Sequence, residues 1–310
     1  MSTLVTPQVG HLDAALSNFS KGFRQNGLIA DALCPRVGVP RQGDKYYVWG
    51  REGQQIKGTT LRAPGAPAAR KRISLSTNPY FCQSHAQACE LPDESGVEVP
   101  SLRQGRVQFL TGLILLEKEV NCASMLTNAA SFGGNTVALA GATQFSDPAS
   151  DPIGVVEDAK NAILGSGVQA NTMTITPPVL RALKKHPAIV ERFKYVQAGA
   201  IGLVELASVF NIERVLLAAG VTADDAGAPS FIWGKDIFIG YVQDTAGDMD
   251  LSVAKTFVWE GAPGTIGGIG TVIGRHPDPT AKSEIVGVDF YYDQKITAAE
   301  AGYVIKAAVA

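Results

Sequence analysis

The chain has 310 residues, 45% of them hydrophobic and 18% charged, with a formal net charge of −2, which is enough to bury a core without disulfide or metal support. That balance excludes global disorder. It also excludes a membrane span of roughly 20 apolar residues, since the nearest run, 109–120, is broken by Thr111, Gly112, Glu117, Lys118 and Glu119.

The first residues lack the basic and apolar regions of a signal peptide. Four cysteines, Cys34, Cys82, Cys89 and Cys122, are too few for a disulfide framework and suit a reducing compartment. The chain is therefore read as made and assembled in cytoplasm. The small net charge hides an asymmetry, because residues 1–75 hold eleven Lys/Arg against four Asp/Glu and the remainder holds sixteen against twenty-five. One reading is a basic segment that meets an acidic surface on another copy; chance clustering on solvated faces is the equal alternative. Sequence-specific nucleic-acid binding is disfavoured by the overall acidic balance.

In chain order, Leu12, Leu16, Phe19 and Phe23 fall at helical spacing and predict a short helix over 11–24, ended by Gly27. Residues 27–44 are too rich in Gly and Pro for a long element, so 1–44 reads as an N-terminal arm. Residues 45–51 and 72–77 read as strands by β-branched, aromatic and alternating content. The polar connection between them, with Lys57, Arg62, Arg70 and Lys71, is too long for a compact domain. Residues 45–91 are expected to form a long projecting β-hairpin. Residues 101–129 carry the strongest helical pattern, with Phe109, Leu113, Leu116, Val120 and Ala123 as the inward stripe and Arg103, Arg106, Glu117 and Lys118 outward. Ser101 is the expected N-cap and Gly133-Gly134 the stop. A helix of that length spans about 40 Å and serves as a spine.

From Asp151 onward short helices and strands alternate. Helices are expected at 151–164, 177–185, 188–196 and 201–210, and strands at 172–176, 214–217, 231–242, 251–259, 284–292 and 302–309. The class is α+β.

Catalytic signatures are missing. There is no dinucleotide or Walker loop, no nucleophile elbow and no zincin motif. His186 and His276 each precede proline, which favours turn or helix-end roles over general base. Cys82, His85 and Cys89 invite a metal, but alternate residues of an extended segment face opposite ways, so no cofactor or metal is expected. Glu90, Asp93 and Glu94 beside Pro92 suit an exposed turn better than acid/base work. They are candidates for pairing with the basic hairpin tip of a neighbour, Lys57, Arg62, Arg70, Lys71 and Arg72.

Three runs carry a family resemblance: Gly27-Leu-Ile-Ala-Asp-Ala-Leu-Cys-Pro35 leading to Lys45-Tyr-Tyr-Val48; Arg62-Ala-Pro-Gly65 with the return through Leu91-Pro-Asp-Glu94; and Thr172-Met-Thr-Ile-Thr-Pro-Pro-Val-Leu-Arg-Ala-Leu-Lys-Lys-His-Pro187. In this order, with an arm, a hairpin, a spine helix and a mixed domain, the chain resembles major capsid proteins of tailed bacteriophages with the HK97-type fold. The resemblance implies a structural, non-enzymatic subunit of an icosahedral virion, assembled in host cytoplasm as pentamers and hexamers around double-stranded DNA. It implies an arm over 1–44, an extended hairpin over 45–91, a peripheral domain over 92–150, an axial domain over 151–250 and returning strands over 251–310. Expected partners are other copies, a separate scaffolding protein, a portal, a decoration protein and non-specifically contacted DNA, with no membrane. Lys57 sits where some relatives crosslink, but no catalytic partner is identifiable and no crosslink is expected. An encapsulin-like compartment is the alternative within the fold. A soluble enzyme using Cys82 or Asp93 is the alternative outside it.

Overall fold

The computed structural model describes residues 11–12, 27–49, 61–62, 64–65, 67, 70, 75–93, 102–193, 201–223, 227–245, 247, 250–264 and 271–310. Strands β1 (His11–Leu12), β2 (Arg36–Val39), β3 (Gly43–Trp49), β4 (Leu75–Phe81) and β5 (Gln83–Pro92) occupy the first third, with a single helical turn, α1 (Ala30–Leu33), among them. Helix α2 (Leu102–Leu126) follows, then β6 (Thr136–Ala138), α3 (Pro152–Leu164), β7 (Thr172–Ile175), α4 (Pro177–Lys185), α5 (Pro187–Phe193), α6 (Leu203–Phe210) and β8 (Arg214–Leu217). The last part comprises β9 (Val221–Ala223), β10 (Pro229–Phe231), β11 (Ile237–Gly240), β12 (Ala254–Trp259), β13 (Thr271–Asp278), β14 (Ser283–Ile296) and β15 (Gly302–Lys306).

The first sheet is ordered β1-β13-β14-β12-β2, with β5 also on β14. Its organising strand is β14, fourteen residues long, which pairs antiparallel with β13, β5 and β12 in turn. Period-two alternation puts Val286, Val288, Phe290 and Tyr292 on one buried face. Val107, Leu110 and Ile114 of α2 pack against that face, together with Val258 and Ile273.

The second sheet is ordered β6-β15-β11-β7-β8. One face, with Met173, Ile175, Val215, Ile237, Ile239 and Ile305, packs against α3, α4, α5 and α6. The opposite face, with Phe238 and Val304, meets Cys122, Ala123 and Leu126 at the end of α2 and Ile29, Ala30, Leu33 and Cys34 around α1. Helix α2 therefore contributes to the cores of both sheets.

Local signals explain several boundaries. The Asp151 carboxylate caps α3 by accepting from Gly154 N at 2.9 Å, with Pro152 at the first helical position. Pro177-Pro178 opens α4, and Asn211 in the left-handed region ends α6.

Other expectations are corrected. His11 and Leu12, expected to start a helix, pair as a strand with Arg275 and Gly274; residues 13–26 lie outside the described residues. The segment 27–44, expected to hold no long element, supplies only the short α1 and β2, and β2 runs parallel to β12 with Val37 and Val39 buried. The single strand expected over 231–242 is two, β10 and β11, because the chain turns at Gly234 (φ +56°), where Trp233 is buried. Strand β13, which the sequence reading did not include, contains Gly274 and Pro277 and nevertheless pairs with β14 along its whole length, Pro277 lying opposite Glu284.

The largest correction concerns α2. Of the stripe expected to face inward, Phe109 is 59%, Leu113 36% and Val120 37% exposed, while Lys118, expected outside, is 1% exposed. The buried stripe is Val107, Leu110, Ile114, Lys118, Cys122 and Leu126, also at spacings of three and four. Periodicity could not choose between two apolar stripes, and the lysine inside the correct one disguised it. Ile114→Asp in the unassembled chain is expected to cost more than about 4 kcal/mol and abolish cooperative unfolding. Leu113→Asp is expected to cost less than about 1 kcal/mol, with thermal melts followed by circular dichroism as the check. Equal losses for the two variants would reject this orientation of α2.

Candidate functional site

Among the described residues no three His, Cys, Asp or Glu side chains converge on a point that could hold a metal. Cys82 is buried beneath the hairpin root, its thiol 3.5 Å from the Phe257 carbonyl, and burial with the nearby Asp293 charge pushes its pKa up to about 12. His85 stacks on Tyr292 at 4.2 Å and places Nδ1 3.2 Å from Glu117 Oε1. Cys89 packs against the α2 core, and its thiol is raised by burial. The Cys82 thiol is thus held in the protonated, unreactive form at neutral pH.

The other sequence-predicted residues are dispersed. Glu90 Oε1 accepts from Ser283 Oγ at 2.7 Å, and the Asp93 amide donates to the Lys282 carbonyl at 3.1 Å, so both sit at the β5–β14 end. Arg62 and Arg70 are exposed, and Lys57, Lys71, Arg72 and Glu94 lie outside the described residues. No ion pair joins these acids and bases among the described residues of one chain.

A buried polar junction, not anticipated from the sequence, organises the root of the arm, residues 27–36. Glu119 has no solvent exposure. Its Oε2 accepts from the amides of Ile29 at 2.9 Å and Ala30 at 2.6 Å, and its Oε1 accepts from the Trp233 indole at 2.6 Å. Burial raises the Glu119 pKa, with these three donors opposing the rise. One residue earlier, Lys118 donates to Asp31 Oδ1 at 2.5 Å and lies 5.6 and 5.8 Å from the ring centroids of Phe290 and Tyr292. Arg36 adds two bonds to the same carboxylate, Nε to Oδ1 at 3.0 Å and Nη2 to Oδ2 at 2.8 Å. Burial alone would raise Asp31, but the Lys118 and Arg36 charges outweigh it and hold the carboxyl well below the usual range. The sequence signal was the Lys118-Glu119 pair interrupting an apolar stripe, since a charge there needs a partner from elsewhere in the chain.

The hairpin leaves from this root. β3 and β4 pair antiparallel from Gly43↔Phe81 to Trp49↔Leu75. Its base is clamped by Tyr80 stacked on Phe257 at 4.8 Å and by the Phe81 amide donating to Asp293 Oδ2 at 3.0 Å. In the helical domain a cavity of about 650 Å³ is lined by Phe145, Pro177, Arg181, Lys185, His186 and Phe231. His186 is structural there: Ala188 N donates to Nδ1 at 3.2 Å, which leaves the proton on Nε2 to donate to the Asp147 carbonyl at 3.1 Å.

The chain is 30% identical over 236 residues to the major capsid protein of Burkholderia phage BcepMu, covering 74% of this chain and 76% of that one. It belongs to the family of phage major capsid proteins. A family model described as phage major capsid protein E matches residues 106–248, from α2 through β11. The crystal structure of a phage-related protein from Bordetella bronchiseptica RB50 superposes with a TM-score of 0.79 at 27% identity, covering 97% of this chain and 99% of that one. An encapsulin from Synechococcus elongatus PCC 7942, at 10% identity and a TM-score of 0.57 over 91% and 87% of the two chains, shares the fold alone. The expected HK97-type capsid fold is thus the observed one.

The junction has a pH signature. Asp31 has a lower pKa folded than unfolded, so its contribution is fully present above about pH 4 and is lost as the pH falls toward the folded value. Asp31→Asn is expected to lower stability at pH 7 by about 3 kcal/mol, because it leaves Lys118 buried without its counter-charge. The variant should also lose less than the parent between pH 5 and pH 3 in urea titrations. An equal acid loss in both proteins would exclude Asp31 as the titrating group.

Proposed function

We propose that this chain is the repeating subunit of an icosahedral bacteriophage shell, joined as pentamers and hexamers around double-stranded DNA. The observation that carries this reading is the similarity to a phage major capsid protein over three quarters of both chains. Its role is structural, its location the virion, and its first partners are other copies of itself. The family carries no catalytic expectation, and the chain is read as having no enzymatic role.

The parts divide the work. Residues 1–44 serve as the arm, 45–91 as the extended hairpin over the adjacent subunit, 92–150 with α2 as the peripheral domain, 151–250 as the axial domain, and 251–310 as strands returning to both. Supporting this division, α2 and β14 build one sheet layer and α3 to α6 cover the other. At its return end the proposed hairpin joins the first sheet, where β5 pairs along β14. The basic tip residues Lys57, Arg62, Arg70, Lys71 and Arg72 meet acidic groups such as Glu90, Asp93 and Glu94 of a neighbour, a heterologous contact of the kind that closes rings. A separate scaffolding protein, a portal, a decoration protein and non-specifically held DNA complete the partners, and assembly takes place in host cytoplasm.

Light scattering with negative-stain microscopy on the chain with its scaffold tests the reading. Five- or six-fold multiples of 32.6 kDa, or closed megadalton shells, are expected, whereas a monomer or dimer under every condition would refute it. Packaged DNA, not a protein cargo, separates a virion from an encapsulin-like shell. Joint charge reversal, Arg70→Glu, Lys71→Glu and Arg72→Glu, is expected to block assembly at physiological salt while the circular dichroism spectrum stays unchanged. Single reversals act weakly, at about 0–1 kcal/mol per exposed pair. Normal assembly of the triple variant would remove the tip contact.

A further inference from the structure

The junction that holds the arm root contains a feature with no part in the shell reading. Cys34, at the end of α1, and Cys122, on the last turns of α2, are 88 positions apart, and their sulfurs lie 3.4 Å apart with neither residue exposed. Both backbones are held: Cys34 N donates to the Ala30 carbonyl at 2.8 Å, its own carbonyl accepts from Thr256 Oγ1 at 3.0 Å, and Cys122 is part of the α2 ladder. A disulfide needs the sulfurs to close by about 1.4 Å, a displacement within reach of side-chain rotation. The remaining cysteines have no such partner, since Cys82 lies under the hairpin root and Cys89 over the far part of α2.

We propose that Cys34 and Cys122 form a convertible thiol pair, which a low-molecular-weight disulfide oxidises to an intrachain disulfide that locks the arm root onto the spine helix. Both sulfurs are buried, so the reaction begins when the arm root lifts from Glu119. One cysteine loses its proton to water, and its thiolate displaces one sulfur of the reagent, forming a mixed disulfide and releasing one reagent thiol. When the root closes, the second cysteine loses its proton and attacks the mixed disulfide, forming the Cys34–Cys122 bond and releasing the second reagent thiol. Two S–H bonds break, one S–S bond forms, and the two electrons reduce the reagent disulfide to two thiols. In the closed state the pair is protected: the contact with Cys34 and burial both hold the Cys122 thiol well above its ordinary pKa. Lys118 and Glu119, on the turn before Cys122, act on that thiol in opposite senses. The pair thus stays reduced in a thiol-rich compartment and converts in an oxidising medium.

The test uses the full, unassembled chain, so its outcome is independent of the shell reading. The reduced protein is incubated with oxidised glutathione, then denatured, alkylated and mapped by peptide mass. The expected product is a Cys34–Cys122 linked peptide lighter by two hydrogen atoms, with no glutathione on either residue and an unfolding midpoint raised by about 5–10 °C. Cys122→Ser and, separately, Cys34→Ala should give no linked peptide and no rise in midpoint on oxidation. Two outcomes overturn the proposal. One is recovery of both residues as free thiols, or as separate glutathione adducts, under conditions where amide exchange at Ile29 and Ala30 shows that the root opens. The other is a linked pair with an unchanged or lowered midpoint.

Discussion

A carboxylate with no access to water must find its hydrogen-bond donors inside the protein, and Glu119 finds three: two amides of the arm root and the indole of Trp233. Leaving such a group unpaired costs several kcal/mol, a large part of a domain's net stability. Three segments remote in sequence, around residues 29, 119 and 233, are therefore bound to one point. The neighbouring Lys118 obeys the same rule through Asp31, whose carboxylate is also held by Arg36. Once the arm root is held there, β2 lies beside β12, the hairpin strand β3 starts from a fixed place, and the arm becomes part of the fold instead of an appendage.

The same helix that carries Glu119 joins the two layers. Its first half packs on the β14 face through Val107, Leu110 and Ile114, and its last turns pack on the second sheet through Cys122, Ala123 and Leu126. Force on one layer is thus passed to the other through about 37 Å of continuous hydrogen-bonded backbone. In the proposed shell this lets a subunit act as one plate while its hairpin reaches outward. The apolar ridge of Phe109, Leu113 and Val120 stays on the open side of that plate, away from both cores.

Much of the architecture was legible because local chemistry was unambiguous. The Asp151-Pro152 start of α3, the double proline opening α4, the β-branched run of β7 and the apolar run of β8 all occur where their residues indicate. Strand β14 showed its alternation, although its pairing with three strands did not follow from it. Legibility failed where a segment is stable only through distant partners. Residues 27–39 look broken by glycine and proline, and become α1 and β2 because Glu119 and β12 supply what the local sequence lacks. Strand β13 contains two breakers and persists because β14 pairs with it throughout.

The candidate sites divide in the same way. The absence of standard catalytic motifs, the basic hairpin connection and the order of elements typical of a capsid protein were properties of residue types in sequence, and no tertiary contact is needed to read them. Which stripe of α2 faces inward, which acid receives the arm, and that Cys34 meets Cys122 were decided by tertiary structure alone. The physical reason is that periodicity registers a charged residue as polar wherever it lies, whereas its real position depends on whether a partner from another part of the chain can neutralise it. Lys118 reads as a surface charge in the sequence, and both it and Glu119 are buried because Asp31, Ile29, Ala30 and Trp233 come to meet them.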